Sequence, residues 1–416
     1  MDAKNTSVTR RGVLGGAAAT AALLAMGKGV MGAEAKAAPA APPKRDRKIK
    51  VGLIGCGGRG TWLSNLFLKH GGYEFVALAD YFDAHVQALG NKLKVDKSRR
   101  FSGLGGYKKL LDTDCEVAMV LNVPYFYPQH GADAVAAGKH VYMAKPVAVD
   151  VPGTLLVGES AKKATAKNLC FLVDYQLPHD PACNEVYKRI QAGALGKMVH
   201  LISFGIAWHA WPDPVIGKTI ESRLKDQIWL SDTALSGDTI VSYDIHIIDG
   251  LMWVLGQRPV RASGFSRTCR EQPHGDRTDS AAVVYEFADG TVWTHFTQSI
   301  DNNIDITTLS ASLCGMKATA HLQYGGKNYI RTGDQKQHYS GTCGPLFEQG
   351  AQQNIADLYD NIVNGKFDNH TAQRAVDGHL ACILGREAAA RKCVLTMDEL
   401  IKENKRIEAN LEGLKA

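Results

Sequence analysis

The sequence predicts an α/β chain in two parts: a domain on a parallel sheet, then an α+β domain on a large, mostly antiparallel sheet. Three observations carry this. A β-branched run, KIKVGLI (48–54), ends in the glycine loop GCGGRG; strand-like and helix-like segments then alternate as far as residue 175; and from Lys197 onward long alternating strands take over. With 416 residues, 45% of them hydrophobic, the chain is long enough to build two cores. The net charge of +6 includes no basic block suited to nucleic acid and no acidic tail.

Residues 1–35 read as an export address. Thr9-Arg10-Arg11 precedes an apolar Gly/Ala/Leu run from Val13 to Met26, and Ala33-Glu34-Ala35 offers a small-x-small cleavage site. The run is too short and glycine-rich for a comfortable membrane span. Paired arginines before a mild apolar segment resemble a twin-arginine signal, so the expectation is an exported, periplasmic protein with no stable span after processing. A Sec signal or an uncleaved anchor is the competing reading. Residues 36–47 form a Pro/Ala-rich tether. Nine cysteines show no C-x-x-C pair and no metal-like spacing, which argues against a zinc site or a disulfide framework. No metal is expected.

Gly55, Gly57 and Gly60 stand as G-x-G-x-x-G between a strand and a helix predicted over Thr61–His70. The first glycine allows a tight turn, the second a close approach of backbone to a pyrophosphate, and the third close packing of the helix, whose N-terminus attracts phosphate. A second strand, YEFVALAD, ends in Asp80, 20 residues beyond Gly60. A carboxylate there hydrogen-bonds the adenosine ribose and repels a 2′-phosphate, so NAD is expected rather than NADP. Lys108–Leu111 belongs to a short helix, and EVAMVLNV (116–123) is a buried strand closed by Pro124. A helix over 128–138 stops at Gly138. The strand His140–Met143 then delivers Ala144-Lys145-Pro146 at its carboxyl end, the edge where open parallel sheets bind ligands. Residues 48–175 are thus a Rossmann dinucleotide-binding domain, with Gly55, Gly57, Gly58, Arg59, Gly60, Asp80, Asn122 and Pro124 as the cofactor set.

Residues 176–400 form the second domain and 401–416 a C-terminal tail. KMVHLISFGIAWH, RPVRASGFSRTC, SAAVVYEF-ADG-TVWTHFTQ and the run Ile306–Leu322 fit an antiparallel sheet, with Asp289-Gly290 as a tight turn. Helices are predicted over Tyr243–Trp253, Phe347–Val363 and Thr371–Ala390. His246 and Asp249 share a helix face. The aromatic stretch AWHAWPDP (207–214) has two readings: Trp208, His209 and Trp211 stack on a sugar ring, or the loop packs on itself or a partner subunit. Tyr175 and Gln176, at the crossover between domains, are further substrate-contact candidates. His179, His295, His338 and His379 have no partner spacing and read as surface or structural residues.

The combination resembles the glucose–fructose oxidoreductase and inositol dehydrogenase (Gfo/Idh/MocA) family. VGLIGCGGRG, ALAD, AAGKHVYMAKPVAV, GALGKM (193–198) and SYDIHIIDGLMWVLGQRP (242–259) match its motifs in order, over nearly all of 48–400. The resemblance implies an oxidoreductase of sugars or cyclitols. It makes Lys145 the catalytic lysine, which also lies near the nicotinamide ribose, and His246 the catalytic histidine. It implies a homo-oligomer, a dimer or tetramer paired through the open sheet face. Two positions depart from the pattern. The usual glutamate before Lys-Pro is Ala144, and the usual aspartate four residues before the histidine is Ser242, with Asp244 nearby as a candidate substrate contact.

The expected chemistry removes a secondary hydroxyl's proton while hydride leaves for nicotinamide, with His246 as base or relay and Lys145 as its partner. A lysine at its ordinary pKa is a poor base near neutrality, so burial has to lower it. An exported enzyme meets no free NAD(H) pool, which favours a cofactor held tightly and recycled within the site. Two alternatives stand beside the oxidoreductase: redox-neutral glycoside cleavage by oxidation and elimination, and a non-catalytic NAD- or carbohydrate-binding protein. Lysine at 145, which related glycosidases lack, favours the oxidoreductase.

Overall fold

The computed structural model describes residues 45–207, 219–225, 227–270, 275–300, 302, 304, 309–333 and 337–416, with backbone alone at 337 and 338. The export segment, most of the tether, Trp208, His209, Trp211 and the His338 side chain lie outside the described residues.

The first half alternates as its pattern predicts. In order come β1 (Ile49–Ile54), α1 (Gly58–His70), β2 (Tyr73–Asp80), α2 (Asp83–Leu93), β3 (Arg100–Ser102), α3 (Gly106–Leu111), β4 (Val117–Val120), α4 (Tyr127–Ala136), β5 (His140–Ala144), α5 (Val151–Ala166) and β6 (Phe171–Asp174). The six strands are parallel, in the order β3-β2-β1-β4-β5-β6. Helices cover both faces of such a sheet, which is why β4 and β6 are unbroken buried runs. The order reverses between β1 and β4, and that switch point opens a crevice at the carboxyl edge. Helix α1 starts three residues earlier than Thr61, since Gly57 already accepts the Thr61 amide at 2.9 Å.

The second half begins with α6 (Pro181–Gln191), capped by Asp180, whose carboxylate accepts from the Ala182 and Cys183 amides. Then follow β7 (Met198–Ile206), α7 (Ile220–Leu224), α8 (Thr233–Ser236), α9 (Ile245–Leu255), β8 (Arg261–Arg267), β9 (Ser280–Glu286), β10 (Val292–Gln298), β11 (Leu309–Gly315), β12 (Ala318–Gln323), β13 (Lys327–Thr332), β14 (Gln337–Thr342), α10 (Leu346–Asn364), α11 (His370–Arg391), β15 (Leu395–Thr396) and α12 (Met397–Glu403). The sheet runs β14-β13-β12-β11-β7-β10-β9-β8-β15, and its described pairings are antiparallel except β7 with β10. The run predicted as one strand over Ile306–Leu322 is two, β11 and β12, because the chain reverses at Met316-Lys317 and Leu313 pairs with Ala320.

Period-two alternation decides the faces of this sheet. Inward, Trp293 is fully buried and stacked on Tyr285 with ring centroids 4.1 Å apart, its indole N–H donating to Ser203 Oγ at 2.7 Å. Outward, Phe265, Ala282, Phe296 and Phe204 form one cross-strand row, and Phe265 is 69% exposed.

Helix α11 joins the two halves. Asn369, at its start, accepts the Phe171 amide of β6 at 2.7 Å. His379 Nε2 accepts the Val147 amide at 2.9 Å, while Arg386 donates to the carbonyls of Val149 and Gly237. Arg374 donates to Asp249 of α9 at 2.9 Å. Past α12, the tail crosses the carboxyl edge of the parallel sheet. The Ile407 amide donates to Asp150 at 2.9 Å, Tyr125 Oη donates to Glu408 at 3.2 Å, and the Leu104 amide donates to the Lys415 carbonyl at 3.0 Å.

Candidate active site

The glycine loop shows which glycines are structural. Gly55 has φ of +106°, and a Cβ there would lie 2.5 Å from the Asn122 nitrogen. A Cβ on Gly60 would meet the Gly55 carbonyl oxygen at 2.0 Å. At Gly57 and Gly58 the same test finds no atom within 4 Å, so the loop presents open space there. Helix α1 has no side-chain N-cap and no acidic residue in its first turn, which leaves its amides available to an anion. Asp80 accepts the Cys56 amide at 2.7 Å and the Phe82 amide at 2.8 Å, fixing its carboxylate at the end of β2 with lone pairs to spare. Asn122 Oδ1 is buried with no protein donor.

These groups border a cleft of about 490 Å³, walled further by Tyr81, Leu104 and, from the second half, Leu224, Gln227 and Trp229. A glycine cradle, unused helix amides, a fixed carboxylate and an unspent amide oxygen together fit a dinucleotide. Pro124 is not in the cleft wall; it is buried and opens the turn that sets Val123 and Phe126 there. Arg59 borders the cleft, but its side chain is committed elsewhere. Nη2 donates to Asp174 at 2.5 Å, and the guanidinium lies 4.6 Å from the Trp62 ring centroid and 4.8 Å from that of Phe347. The Arg59 Nη1 is buried without a protein partner.

Lys145 follows β5 and is part-buried; its ammonium donates to the Ser242 carbonyl at 2.8 Å. Burial, then the nearby Arg59 charge, pulls its pKa down to about 7, against the opposing pull of the Asp174 and Asp244 carboxylates. His246 opens α9, is 8% exposed, and lies 4.8 Å from the Tyr324 ring. Burial, Lys145 and Arg59 lower its pKa well below the ordinary histidine value, so the imidazole is neutral.

Three substrate-contact expectations are corrected. Asp244 is fully buried, and its Oδ2 is 3.0 Å from His295 Nε2. His295 Nδ1 meets Ser203 Oγ at 2.8 Å, the hydroxyl that accepts from Trp293. These hydrogen bonds hold the Asp244 carboxylate, which ends the π-helical turn Ile240–Asp244, against the strands of the antiparallel sheet. Tyr175 is 2% exposed with its hydroxyl on His379 Nδ1 at 3.2 Å. Gln176 is equally buried; it donates to Asp174 and accepts from Tyr324 Oη at 2.8 Å, so it orients the ring beside His246. His295 and His379 are fully buried structural residues, and His179 is partly buried on Asn354 at 2.9 Å. Asp249 pairs with Arg374 across the helix seam.

Asp174 was missed by sequence reasoning. Its side chain is fully buried and accepts from Arg59, from Asn354 Nδ2 at 2.9 Å and from Gln176 Nε2 at 3.2 Å. The available signal was an acid at the carboxyl end of an otherwise apolar strand, FLVD, on the ligand edge.

Comparison with known proteins agrees with this geometry. Residues 49–172 match the family model described as "Oxidoreductase family, NAD-binding Rossmann fold", and residues 183–320 match "GFO/IDH/MocA C-terminal domain". Over 248 residues the chain is 23% identical to myo-inositol dehydrogenase Hyg17 of Streptomyces leeuwenhoekii, a match covering 59% of this chain and 68% of that one. For two further curated relatives the match spans 66% and 65% of their length. The fold is shared with levoglucosan dehydrogenase, solved with NADH and levoglucosan (TM-score 0.68, 15% identity, 84% of this chain and 100% of that one). It is also shared with an aldose-aldose oxidoreductase from Caulobacter crescentus (TM-score 0.66, 16% identity, 84% and 100%). A glycine-loop cleft in a six-stranded parallel sheet, followed by the matching C-terminal sheet domain, makes this chain a member of the GFO/IDH/MocA family of NAD-binding oxidoreductases.

Proposed function

We infer that the protein oxidises a secondary hydroxyl of a sugar, sugar derivative or cyclitol, with NAD held tightly and recycled within the site by reduction of a second sugar or keto-sugar. The observation that carries this reading is Lys145: a buried amine with its pKa near 7, beside a neutral His246, on the sheet edge that also bears the glycine loop. A bound NAD would supply the hydride acceptor. Lys145, about half unprotonated at neutral pH, takes the hydroxyl proton. The Ser242 carbonyl fixes where the amine points, and His246 hydrogen-bonds the substrate oxygen. The base role expected of His246 moves to Lys145, because burial leaves the imidazole too weakly basic. Asp80 supports NAD over NADP by its negative charge at the ribose position.

Cofactor retention has its own support. The Tyr81 hydroxyl, in the cleft wall, donates to Glu221 of α7 at 3.1 Å and accepts from the Lys415 amide at 3.3 Å. The second half and the C-terminal tail therefore meet over one side of the cleft. The paired arginines at 10 and 11 support export, and among the described residues no helix is long and apolar enough to cross a membrane. The exposed row around Phe265 supports pairing of two copies through the open sheet face.

The test is direct. Denaturing the purified protein is expected to release NAD(H) in stoichiometric amount. Incubating the native protein with sugars, cyclitols and aryl glycosides is expected to give a keto product. Aglycone release instead would identify the glycosidase reaction, and bound cofactor with neither product would identify a non-catalytic binder.

A further inference from the structure

Ala144 and Asp174 are register partners on the neighbouring parallel strands β5 and β6, so their side chains leave the same face of the sheet at its carboxyl edge. Ala144 contributes only a methyl group, and Lys145 follows it directly. Asp174 therefore ends the strand next to the one that delivers Lys145, and its charge reaches the amine. Its carboxylate is fully buried, yet it takes three protein donors. One of them, Arg59, comes from α1, and its guanidinium lies beside the stacked rings of Trp62 and Phe347, 4.6 and 4.8 Å from their centroids. A buried ion pair of this construction does little for stability beyond what apolar residues would do. It sets two opposite charges within reach of the amine.

We propose that Asp174 and Arg59 are positioning residues: an ion pair at the sheet edge that fixes the charge environment of Lys145 and so decides the pH at which the enzyme works. The inference rests on Lys145 as the proton acceptor. The charged and titratable groups facing Lys145 are Arg59 from α1, Asp174 from β6, Asp244 from the π-helical turn, His246 from α9 and His379 from α11. His246 and His379 are held neutral by burial, and Asp244 is engaged by His295. The Arg59–Asp174 pair is thus the balance that a single substitution tips either way. Removing the carboxylate leaves Arg59 to disfavour the protonated amine; removing the guanidinium leaves the carboxylate to favour it.

The experiment is the pH profile of kcat/KM for the full-length protein, whose acid limb reports deprotonation of the amine. D174N is expected to move that limb down by about one pH unit, and R59Q to move it up by about one, a tenfold change in the protonated fraction at fixed pH in each case. R59K, which keeps the charge, is expected to restore the limb to within a few tenths of a unit. A purely structural pair would lower activity in both variants with the limb unmoved, or moved in the same direction, and either result overturns the proposal. Each variant's bound NAD(H) is measured in parallel; should either D174N or R59Q fail to fold, the direction of the other's limb still decides, since an unmoved or oppositely moved limb overturns the proposal. Failure of the underlying reading is separate: K145A would then retain activity, whatever D174N does.

Discussion

The cofactor cleft and the Lys145 pocket adjoin one another and are built in opposite ways. The cleft is made of backbone: glycines, helix-terminal amides and an unspent side-chain oxygen, open to whatever enters. The pocket is made of side chains around Lys145: Asp174 of β6 and His246 of α9, both buried, and Arg59 of α1, paired with Asp174. A cleft of the first kind binds by leaving groups unsatisfied. A pocket of the second kind does chemistry by holding charges where water does not screen them.

The largest test of this contrast is at Lys145. Lys145→Met is expected to lower kcat by a factor on the order of 10²–10⁴ while bound NAD(H) stays stoichiometric. The same variant should be more stable. A lysine held near pKa 7 in the fold binds fewer protons than its unfolded counterpart at about 10.5. Stability therefore rises with pH between those values and is diminished below them, by on the order of 4 kcal/mol at neutral pH. A thermal melt of Lys145→Met no higher than wild type would show that the amine is not buried at a penalty.

The second test separates glycines within the cleft. Gly60→Ala places a methyl 2.0 Å from the Gly55 carbonyl, so the loop has to shift and the cofactor-free fold should lose about 1–3 kcal/mol. Gly57→Ala meets no protein atom, so its melting temperature is expected to match wild type while dinucleotide affinity falls. Equal melts for both variants would mean the cradle is not built as described. The smallest effect is at the tail. Deleting residues 405–416 removes the contacts to Asp150, Tyr125, Leu104 and Tyr81, and is expected to speed NAD dissociation several-fold at unchanged kcat. An unchanged dissociation rate in stopped flow would show that the tail does not help retain the cofactor.

The contrast also explains what the sequence disclosed. The cleft was legible because each of its signals is local: a glycine spacing, a strand before it, an acid at a fixed distance. Lys145 was placed on the ligand edge by the strand that delivers it, whereas the roles expected of Lys145 and His246 came from the family resemblance. Asp244, Tyr175 and Gln176 were misassigned, since their partners lie 51, 204 and 148 residues away. The π-helical turn over Ile240–Asp244 breaks the 3.6-residue period from which the faces were reasoned, and no composition signal marks it. Asp174 went unread for the same reason: its meaning depends on Arg59, 115 residues earlier.

Helix α11 has a consequence for how the protein can be divided. Family and fold place a boundary between the two halves, yet a fragment ending near residue 175 would lose Asn369 from the Phe171 amide, His379 from the Val147 amide and Arg386 from the Val149 carbonyl. Each unpaired buried group costs about 1–3 kcal/mol, enough together to consume most of a small domain's stability. The dinucleotide half is therefore completed by the far end of the chain. During synthesis, the segment bearing Lys145 waits for the last fifty residues before its backbone is held, which makes a cofactor-competent fold a property of the finished polypeptide.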